Sequence, residues 1–245
     1  MNAPRICAVV PTYNNPRTVR GVVKSIRVHL PNVVVIDDGS DRAGRRVVAA
    51  LARDGLAEVR LRKYNGGKGA AVKDGLRLAQ SLGYTHALQM DADGQHDPDD
   101  IPRFLHASRT NPGALVLGQP IFDDTAPFIR RKARLISRFL ADLQTGGRVI
   151  ADPLCGFRVY PIAPALRARP GADAMDFDLE IAVRMTWLGC PVVNLPTRVR
   201  YLTARQGGVS HFRMISDNLL LGWVHAQLCT EAVLRRLLGR PLRPT

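Results

Sequence analysis

Short apolar runs alternate with segments of helical periodicity through the first hundred residues. Four runs, "ICAVV", "VVVI", "AEVRLR" and "THALQM", have the length and the residue types of strands. After the first run, Asn15 and Pro16 form the start signal of a helix. Its apolar residues recur at intervals of three and four: Val19, Val22, Val23 and Ile26. Four strand–loop–helix units in succession predict an α/β fold with a parallel, doubly wound sheet.

The second half continues with longer helices. The runs "ALVLG", "ADPLCGFRVYP" and "PVVNLP" predict three more strands, and "MDFDLEIAVRMTWLG" predicts a helix between the last two. A basic amphipathic helix is predicted over about 127–144, with an apolar stripe of Phe128, Leu135, Ile136, Phe139 and Leu143. A last helix ends near Leu238, and it either covers the sheet, packs on a partner or lies on a membrane.

The loops after the first four strands are polar and rich in turn-forming residues. They read "PTYNN", "DDGS", "NGGKG" and "DADGQH" in chain order. The carboxyl ends of parallel strands meet at one edge of the sheet, where ligands bind. The four loops together therefore predict a ligand site at that edge.

The fourth loop has the composition of a divalent-cation site. Asp91 and Asp93 are two residues apart, so both carboxylates project to one side, and Gln95 and His96 could complete the shell. Oxygen ligands with open positions suit Mg²⁺ or Mn²⁺ bridging to a diphosphate. The alternative is that the aspartates cap a helix, which fits Asp97 but leaves Asp91 and Asp93 unused.

Two other loops are less specific. "NGGKG" offers backbone amides, the cation of Lys68 and the start of a helix, which are the parts of an anion site, but it lacks the spacing of a Walker A loop. "DDGS" is either an ordinary turn or a place where Asp37 or Asp38 accepts hydrogen bonds from a base or ribose.

Positive charge is concentrated in two segments of the chain. The net charge is +14, and residues 126–148 hold six basic residues against one acid, while the tail from Glu231 holds four against one. These segments are solvated helix faces, or they bind an anionic membrane, a phosphorylated substrate or nucleic acid. No nucleic-acid motif accompanies the charge, so we expect no nucleic-acid partner.

The cysteines and the apolar segments indicate the compartment. Four scattered cysteines suggest neither a disulfide framework nor a zinc site, which suits a reducing cytoplasm. The first residues lack the pattern of a signal peptide, and the apolar run "NLLLGWVHAQL" is shorter than the ~20 residues that span a bilayer. We expect a cytoplasmic protein, peripheral on the inner face of the membrane.

The ordered set of motifs resembles a known enzyme family. "PTYNN", "DDGS", "NGGKGAAVKDGL", "MDADGQHDP", "GFRVY" and "RQGGVSHF" resemble, in order and spacing, the family 2 glycosyltransferases, in the branch of dolichyl- and polyprenyl-phosphate sugar transferases. The resemblance implies a GT-A (Rossmann-like) fold with a central, mostly parallel sheet flanked by helices. It implies a glycosyltransferase domain over residues 1–212, followed by a basic C-terminal amphipathic helix and tail over 213–245.

The resemblance also assigns donor-site residues. It implies a nucleotide pocket lined by Pro11, Tyr13, Asp38, Lys68 and Asp91. It implies an Mg²⁺ or Mn²⁺ site at Asp91, Asp93 and Gln95, in which Asp93 acts directly in catalysis by holding the ion against the donor diphosphate. Arg205 of "RQGGVS" matches a catalytic residue that binds donor phosphate on a closing loop.

The acceptor side departs from the family pattern. Asn15 stands where the branch usually has Glu, and His211 in "SHF" replaces a lysine. A phosphate acceptor arrives ionised, whereas a hydroxyl acceptor needs a general base. The candidates for that base are Asp152, Asp178 and Glu180. We favour Asp152, because it precedes the "GFR" strand, which the family that the chain resembles places beside the acceptor. Three cationic side chains are candidates for contacts with an anionic acceptor: Arg131, Arg138 and His211.

These features predict an inverting, metal-dependent glycosyltransferase that moves a sugar from a UDP- or GDP-sugar to a lipid-linked acceptor. That acceptor is a polyprenyl phosphate or a lipid hydroxyl. Two rival functions are a nucleotidyltransferase that makes sugar nucleotides and an inactive module that binds anionic surfaces. The first would release pyrophosphate, and the second would show no metal-dependent use of a donor.

Overall fold

A computed structural model describes residues 3–122, 128–200 and 214–243, with side chains for 3–121, 132–200 and 215–243. The strands are β1 (Ile6–Thr12), β2 (Val33–Asp37), β3 (Glu58–Leu61), β4 (His86–Gln89), β5 (Leu115–Phe122), β6 (Arg158–Pro161) and β7 (Val192–Val199). The helices are α1 (Val19–His29), α2 (Arg42–Arg53), α3 (Lys68–Ser81), α4 (Ile101–Thr110), α5 (Phe128–Thr145), α6 (Ile162–Arg167), α7 (Phe177–Trp187) and α8 (Met214–Leu237). The predicted strands and helices are confirmed, but Asn15 and Pro16 do not start the first helix as predicted: residues 16–18 form a turn, and α1 begins at Val19 after Thr18.

The seven strands form one sheet in the order β3-β2-β1-β4-β6-β5-β7. Neighbouring strands are parallel except at β6, which runs antiparallel to both β4 and β5. The prediction of a mostly parallel sheet is therefore confirmed. Because β6 is reversed, its first residue, Arg158, pairs with Gln89 at the carboxyl end of β4. The "GFR" segment consequently lies beside the "DADGQH" loop.

Each face of the sheet packs against its own helices. In β1, Cys7 and Val9 belong to the hydrophobic cluster that includes α3 and α7, whereas Ala8 and Val10 belong to the cluster that includes α1 and α4. This alternation is the period of two that a strand buried on both faces requires. Both clusters are apolar, and the polar side chains lie beyond them at the strand ends, where several, such as Asp38 and Ser40, are themselves buried.

Helices α5 and α8 pack against each other, and both contact α7. The Gln144 amide nitrogen donates to the His225 carbonyl oxygen (3.1 Å), and the Trp187 indole donates to the Gln144 carbonyl oxygen (2.9 Å). One face of α8 is buried in the cluster that includes α3 and α7, through Leu221, Val224, Leu228 and Ala232. The predicted domain boundary at residue 212 lies outside the described residues.

The apolar stripe predicted for α5 faces outward. Four of its residues are exposed: Leu135, Ile136, Phe139 and Leu143. The side chain of Phe128 lies outside the described set. Among the described helices, none is long and apolar enough to cross a bilayer. The exposed stripe is therefore a surface feature, and it adjoins the cleft described next.

Candidate active site

A cleft of about 870 Å³ opens at the carboxyl-end edge of the sheet. Seven predicted donor-site residues line it: Pro11, Tyr13, Asp38, Lys68, Asp91, Asp93 and Gln95. They come from the ends of β1, β2 and β4 and from the start of α3, which parallel pairing brings to one edge. The cleft continues between α5 and α8, where its lining is mixed: Ile136, Leu140, Leu220 and Leu221 are apolar, and Arg134, Ser137, Asn218 and His225 are polar.

Asp38 shapes the glycine loop that precedes α3. Its carboxylate accepts hydrogen bonds from the amides of Gly66 (3.0 Å) and Gly67 (2.8 Å) and from Arg62. Gly67 has a φ of +97°, and a Cβ there would lie 2.3 Å from the Asp173 carbonyl oxygen. Burial raises the pKa of Asp38, against the effect of these donors. The two amides that the sequence offered to an anion are therefore occupied by a protein carboxylate.

Lys68, at the start of α3, lies between two carboxylates. Its Nζ is 2.8 Å from Asp91 Oδ2 and 2.7 Å from Asp178 Oδ2. Burial opposes the charge of this ammonium, but the attraction of Asp178 and Asp91 outweighs it and raises the pKa of Lys68. The lysine is therefore a fixed cation at the centre of the site.

A buried polar network anchors Asp178. The Gln89 amide donates to Asp178 Oδ1 (3.2 Å), and the Tyr160 hydroxyl donates to Gln89 Oε1 (2.8 Å). Arg158, with no exposed surface, donates to the backbone oxygen of Asp178 (2.8 Å). These side chains come from β4, β6 and α7, and sequence reasoning missed three of them. A sequence signal existed for Arg158 and Tyr160: these two polar residues are two positions apart, so they lie on the same face of a strand that is otherwise apolar.

Only one of the two carboxylate oxygens of Asp91 has partners among the described residues. Its Oδ2 contacts Lys68 and lies 3.9 Å from His96 Nε2, while a Cβ on Gly156 would come within 2.3 Å of the same oxygen. Burial raises the pKa of the Asp91 carboxyl, but Lys68 and His96 outweigh it and hold that pKa well below its usual value. Asp91 Oδ1 is buried and has no hydrogen-bond partner among the described residues.

Asp93 completes a pair of half-buried carboxylates. Its Oδ1 accepts a hydrogen bond from the Gln95 amide (3.0 Å). Burial and the neighbouring charge of Asp91 raise the pKa of Asp93, which indicates a deficit of positive charge at this point. A free Asp91 oxygen, the Asp93 carboxylate and the Gln95 side chain fit a hard divalent cation. No cluster of three or more His, Cys, Asp or Glu ligands occurs in the part of the chain described, so the remaining positions would fall to donor or water oxygens.

The end of β7 fixes the loop that carries these ligands. His96 forms an antiparallel bridge with Val199, and the Arg200 amide donates to the Gln95 carbonyl oxygen (2.9 Å). The chain then enters residues 201–213, so the predictions for Arg205 and His211 lie outside the described residues. The side chain of Arg131 also lies outside them.

The three candidate bases are each paired with a cation. Asp152 contacts Arg134 at 2.6 Å and does not line the cleft, although Arg134 does. Glu180 pairs with Arg184 at 2.6 Å, and Asp178 pairs with Lys68 as described. Of the three, only Asp178 lines the cleft. The structure does not bring Asp152 or Arg138 to its lining.

Comparison with known proteins places this chain in a family. The family model described as "Glycosyl transferase family 2" matches residues 7–167, more than half of the chain. The polyprenol monophosphomannose synthase of Mycolicibacterium smegmatis is 30% identical over 88% of this chain and 83% of its own. The undecaprenyl-phosphate mannosyltransferase of Micrococcus luteus is 29% identical over 78% of this chain and 82% of its own.

The fold also matches solved structures. Glucosyl-3-phosphoglycerate synthase from Mycobacterium tuberculosis in complex with UDP has a TM-score of 0.69 and 18% identity, covering 93% of this chain and 80% of that one. The same enzyme with Mn²⁺ and UDP-glucose has a TM-score of 0.65 and 20% identity, covering 99% and 80%. At these identities the likeness supports the GT-A fold.

Proposed function

Because the chain belongs to glycosyltransferase family 2, we propose that this glycosyltransferase moves a sugar from a UDP- or GDP-sugar to the phosphate of a polyprenyl phosphate. The pairing of the three candidate bases carries the choice of acceptor. Asp152, Asp178 and Glu180 each lie within 2.7 Å of a cationic nitrogen. These ion pairs hold the three carboxylates against protein cations, and Asp152 and Glu180 do not line the cleft where an acceptor hydroxyl would bind.

A phosphate acceptor removes the need for a base. Its oxygen is already ionised at neutral pH and attacks the anomeric carbon directly, in line with the departing diphosphate, so the configuration inverts. The names of two relatives support this choice, since one is an undecaprenyl-phosphate mannosyltransferase and the other a polyprenol monophosphomannose synthase. A lipid hydroxyl would need a free base, which none of the three candidate carboxylates supplies.

The donor side of the cleft supplies binding and charge compensation. Pro11, Tyr13 and Asp38 would line the nucleoside pocket. Lys68 would keep the Asp91 carboxylate ionised and would fix its orientation through the contact with Oδ2. A divalent cation held by Asp91, Asp93 and Gln95 would neutralise the charge that develops on the departing diphosphate. The solved complex of the M. tuberculosis enzyme with Mn²⁺ and UDP-glucose supports a metal of this kind.

The part of the cleft between α5 and α8 would take the first isoprene units of the acceptor against Leu140 and Leu221, which lie among polar lining residues such as Arg134 and His225. A lipid-linked acceptor requires the protein to work at a bilayer, so we propose a peripheral position on the cytoplasmic face of the membrane. The basic segments fit both a phosphate-bearing acceptor and that anionic surface.

An acceptor comparison tests the proposed function. Labelled UDP- and GDP-sugars are incubated with Mn²⁺ and either a short-chain polyprenyl phosphate or the corresponding polyprenol, and lipid-linked label is measured. Transfer to the phosphate at a rate at least a hundredfold above the alcohol is expected. Preferred transfer to the alcohol would contradict the acceptor assignment. In a separate incubation with a nucleoside triphosphate and a sugar 1-phosphate, release of pyrophosphate would support the nucleotidyltransferase instead.

Replacing Asp93 by asparagine tests the metal site. The Asp93→Asn variant loses one of the two carboxylates of the metal site, so we expect Mn²⁺ affinity to fall at least tenfold and turnover with it. Mn²⁺-induced thermal stabilisation in the presence of UDP or GDP measures the binding separately from turnover. Asp99→Asn is the matched control, because its side chain is 89% exposed and it should behave as the wild type. Equal Mn²⁺ stabilisation in both variants would remove Asp93 from the metal site.

A further inference from the structure

His225 on α8 is a buried histidine that borders the cleft. The residue is 5% exposed and belongs to the lining between α5 and α8. Its Nε2 is buried and makes no hydrogen bond with any described residue. Buried polar atoms nearly always have a partner, because an unpaired buried donor or acceptor is costly. A molecule bound in the cleft could supply the partner that this nitrogen lacks.

The contact with Gln144 fixes which ring nitrogen of His225 carries the proton. The Gln144 side-chain nitrogen donates to the His225 carbonyl oxygen (3.1 Å), so this end of the amide is the NH₂ group. The same nitrogen lies 3.0 Å from Nδ1 of the ring. Since an NH₂ group only donates, Nδ1 accepts, and the proton of the neutral ring is on Nε2. Burial lowers the pKa of His225 to about 4, so the ring is neutral at neutral pH.

The free N–H of the ring lies on the side away from Gln144. Nδ1 faces Gln144, which is fully buried and does not line the cleft. The two nitrogens lie on different sides of the imidazole ring, and they have different partners. The group that His225 offers to a molecule in the cleft is therefore a neutral N–H donor.

Helices α7 and α8 run parallel beside the cleft. Arg184 on α7 pairs with Glu231 on α8 at 3.1 Å. About one turn further along both helices, Arg235 on α8 donates to the Trp187 carbonyl oxygen (3.1 Å). The two contacts advance in the same direction on both helices, so α7 and α8 are parallel over this stretch.

This pairing sets His225 level with Asp178. Counting six residues back from the Arg184–Glu231 pair reaches Asp178 on α7 and His225 on α8. The two helices are in contact, and packed helices lie roughly 8–10 Å apart. Asp178 holds Lys68, the cation at the centre of the site, at 2.7 Å. His225 therefore lies beside the reaction centre, on the side of the cleft opposite the nucleoside pocket.

We propose that His225 donates a hydrogen bond, through Nε2–H, to an oxygen of the acceptor phosphate. The inference rests on the proposed function, in which that acceptor is a polyprenyl phosphate. An isoprene unit has no hydrogen-bond acceptor, whereas a phosphate group has three strong ones. A neutral donor occupies one phosphate oxygen and leaves another ionised to attack the anomeric carbon.

Two substitutions at His225 separate the phosphate contact from packing. In His225→Asn the amide oxygen can still accept from Gln144, but the side chain is too short to place a donor where Nε2 lies. In His225→Gln the amide nitrogen can reach that position. With Mn²⁺, a sugar nucleotide and a short-chain prenyl phosphate, His225→Asn should raise the KM of the acceptor at least tenfold. His225→Gln should bring it back to within threefold of the wild type, and the KM of the sugar nucleotide should change less than threefold in both.

A histidine outside the cleft provides the matched control. His106 on α4 is exposed and does not line the cleft, so His106→Asn should keep the wild-type KM of the acceptor. An acceptor KM that His225→Asn leaves unchanged would show that Nε2 meets only water, and it would overturn the proposal. An equal rise in the KM of the sugar nucleotide would assign the nitrogen to the donor and would also overturn it.

Binding without turnover separates this inference from the proposed function. Thermal stabilisation by the prenyl phosphate is measured without a sugar nucleotide, with the corresponding prenyl alcohol as the comparison. Stabilisation of the wild type that His225→Asn lacks would support the phosphate contact even if no sugar were transferred. Transfer by the wild type, with equal stabilisation of His225→Asn, would overturn the contact and leave the proposed function standing.

A crystal structure of the wild type with the prenyl phosphate checks the contact without any substitution. One phosphate oxygen should lie within about 3.2 Å of His225 Nε2. A bound phosphate with no oxygen in reach of that nitrogen would overturn the proposal.

Discussion

Replacing Gly156 by alanine is expected to reduce kcat/KM about a hundredfold or more while leaving the fold intact. A Cβ at this position would lie 2.3 Å from Asp91 Oδ2 and 2.6 Å from Lys68 Nζ. The two charged groups would have to separate to admit it. Lys68 would keep its pair with Asp178, so the fold is expected to persist while the Asp91 carboxylate is turned away from its position at the metal site. A misplacement of such groups by about 1 Å can cost about a hundredfold in rate.

The comparison that checks this prediction uses a second glycine. A Cβ on Gly113 would have no atom within 4 Å, so Gly113→Ala should keep wild-type activity. Both variants are compared in kcat/KM and in the thermal stabilisation given by a nucleoside diphosphate with Mn²⁺. Activity of Gly156→Ala within threefold of the wild type would show that the Lys68–Asp91 pair does not need its observed geometry.

Replacing Arg158 by methionine is expected to destabilise the protein strongly. The guanidinium is fully buried, and it donates to the carbonyl oxygens of Cys155 (2.8 Å) and Asp178 (2.8 Å). Its Nη2 also lies 3.8 Å from Asp178 Oδ1. Removing one partner of such a buried pair costs about 3–5 kcal/mol. For a chain of this size that corresponds to a fall in Tm of roughly 6–20 °C.

A surface arginine provides the control for this second prediction. Arg20 pairs with Asp54 with both side chains about two-fifths exposed, and such pairs contribute about 0–1 kcal/mol. Arg20→Met should therefore shift the Tm by no more than about 4 °C. Thermal unfolding followed by circular dichroism measures both variants. If Arg158→Met unfolds at the temperature of Arg20→Met, the buried network around Asp178 adds little stability.

The donor half of the site could be read from the sequence because its geometry follows from local pattern. Each of the four loops directly follows a short apolar run, and parallel pairing brings the ends of such runs to one edge. Pro11, Asp38 and Asp93 therefore lie on one cleft although they are far apart in the chain. The spacing of Asp91 and Asp93 likewise fixes their relation without any distant contact.

The acceptor half depended on contacts that no local pattern encodes. Lys68 and Asp178 are 110 residues apart, and only the packing of α7 against α3 brings their charges together. Sequence reasoning favoured Asp152 as a base, but its ion pair with Arg134 depends on where α5 lies. A carboxylate's role is set by its neighbours in space, and these are unknown until the chain is folded.

The sequence by itself determined the strands, the helices, the polar edge of the sheet and the pair of aspartates, since each depends on residues close together in the chain. The tertiary structure decided that β6 runs antiparallel, that Gly156 lies against Asp91 and Lys68, and that the apolar stripe of α5 faces outward. Helical periodicity shows that a helix has an apolar face, but only the packing of its neighbours decides whether that face is buried.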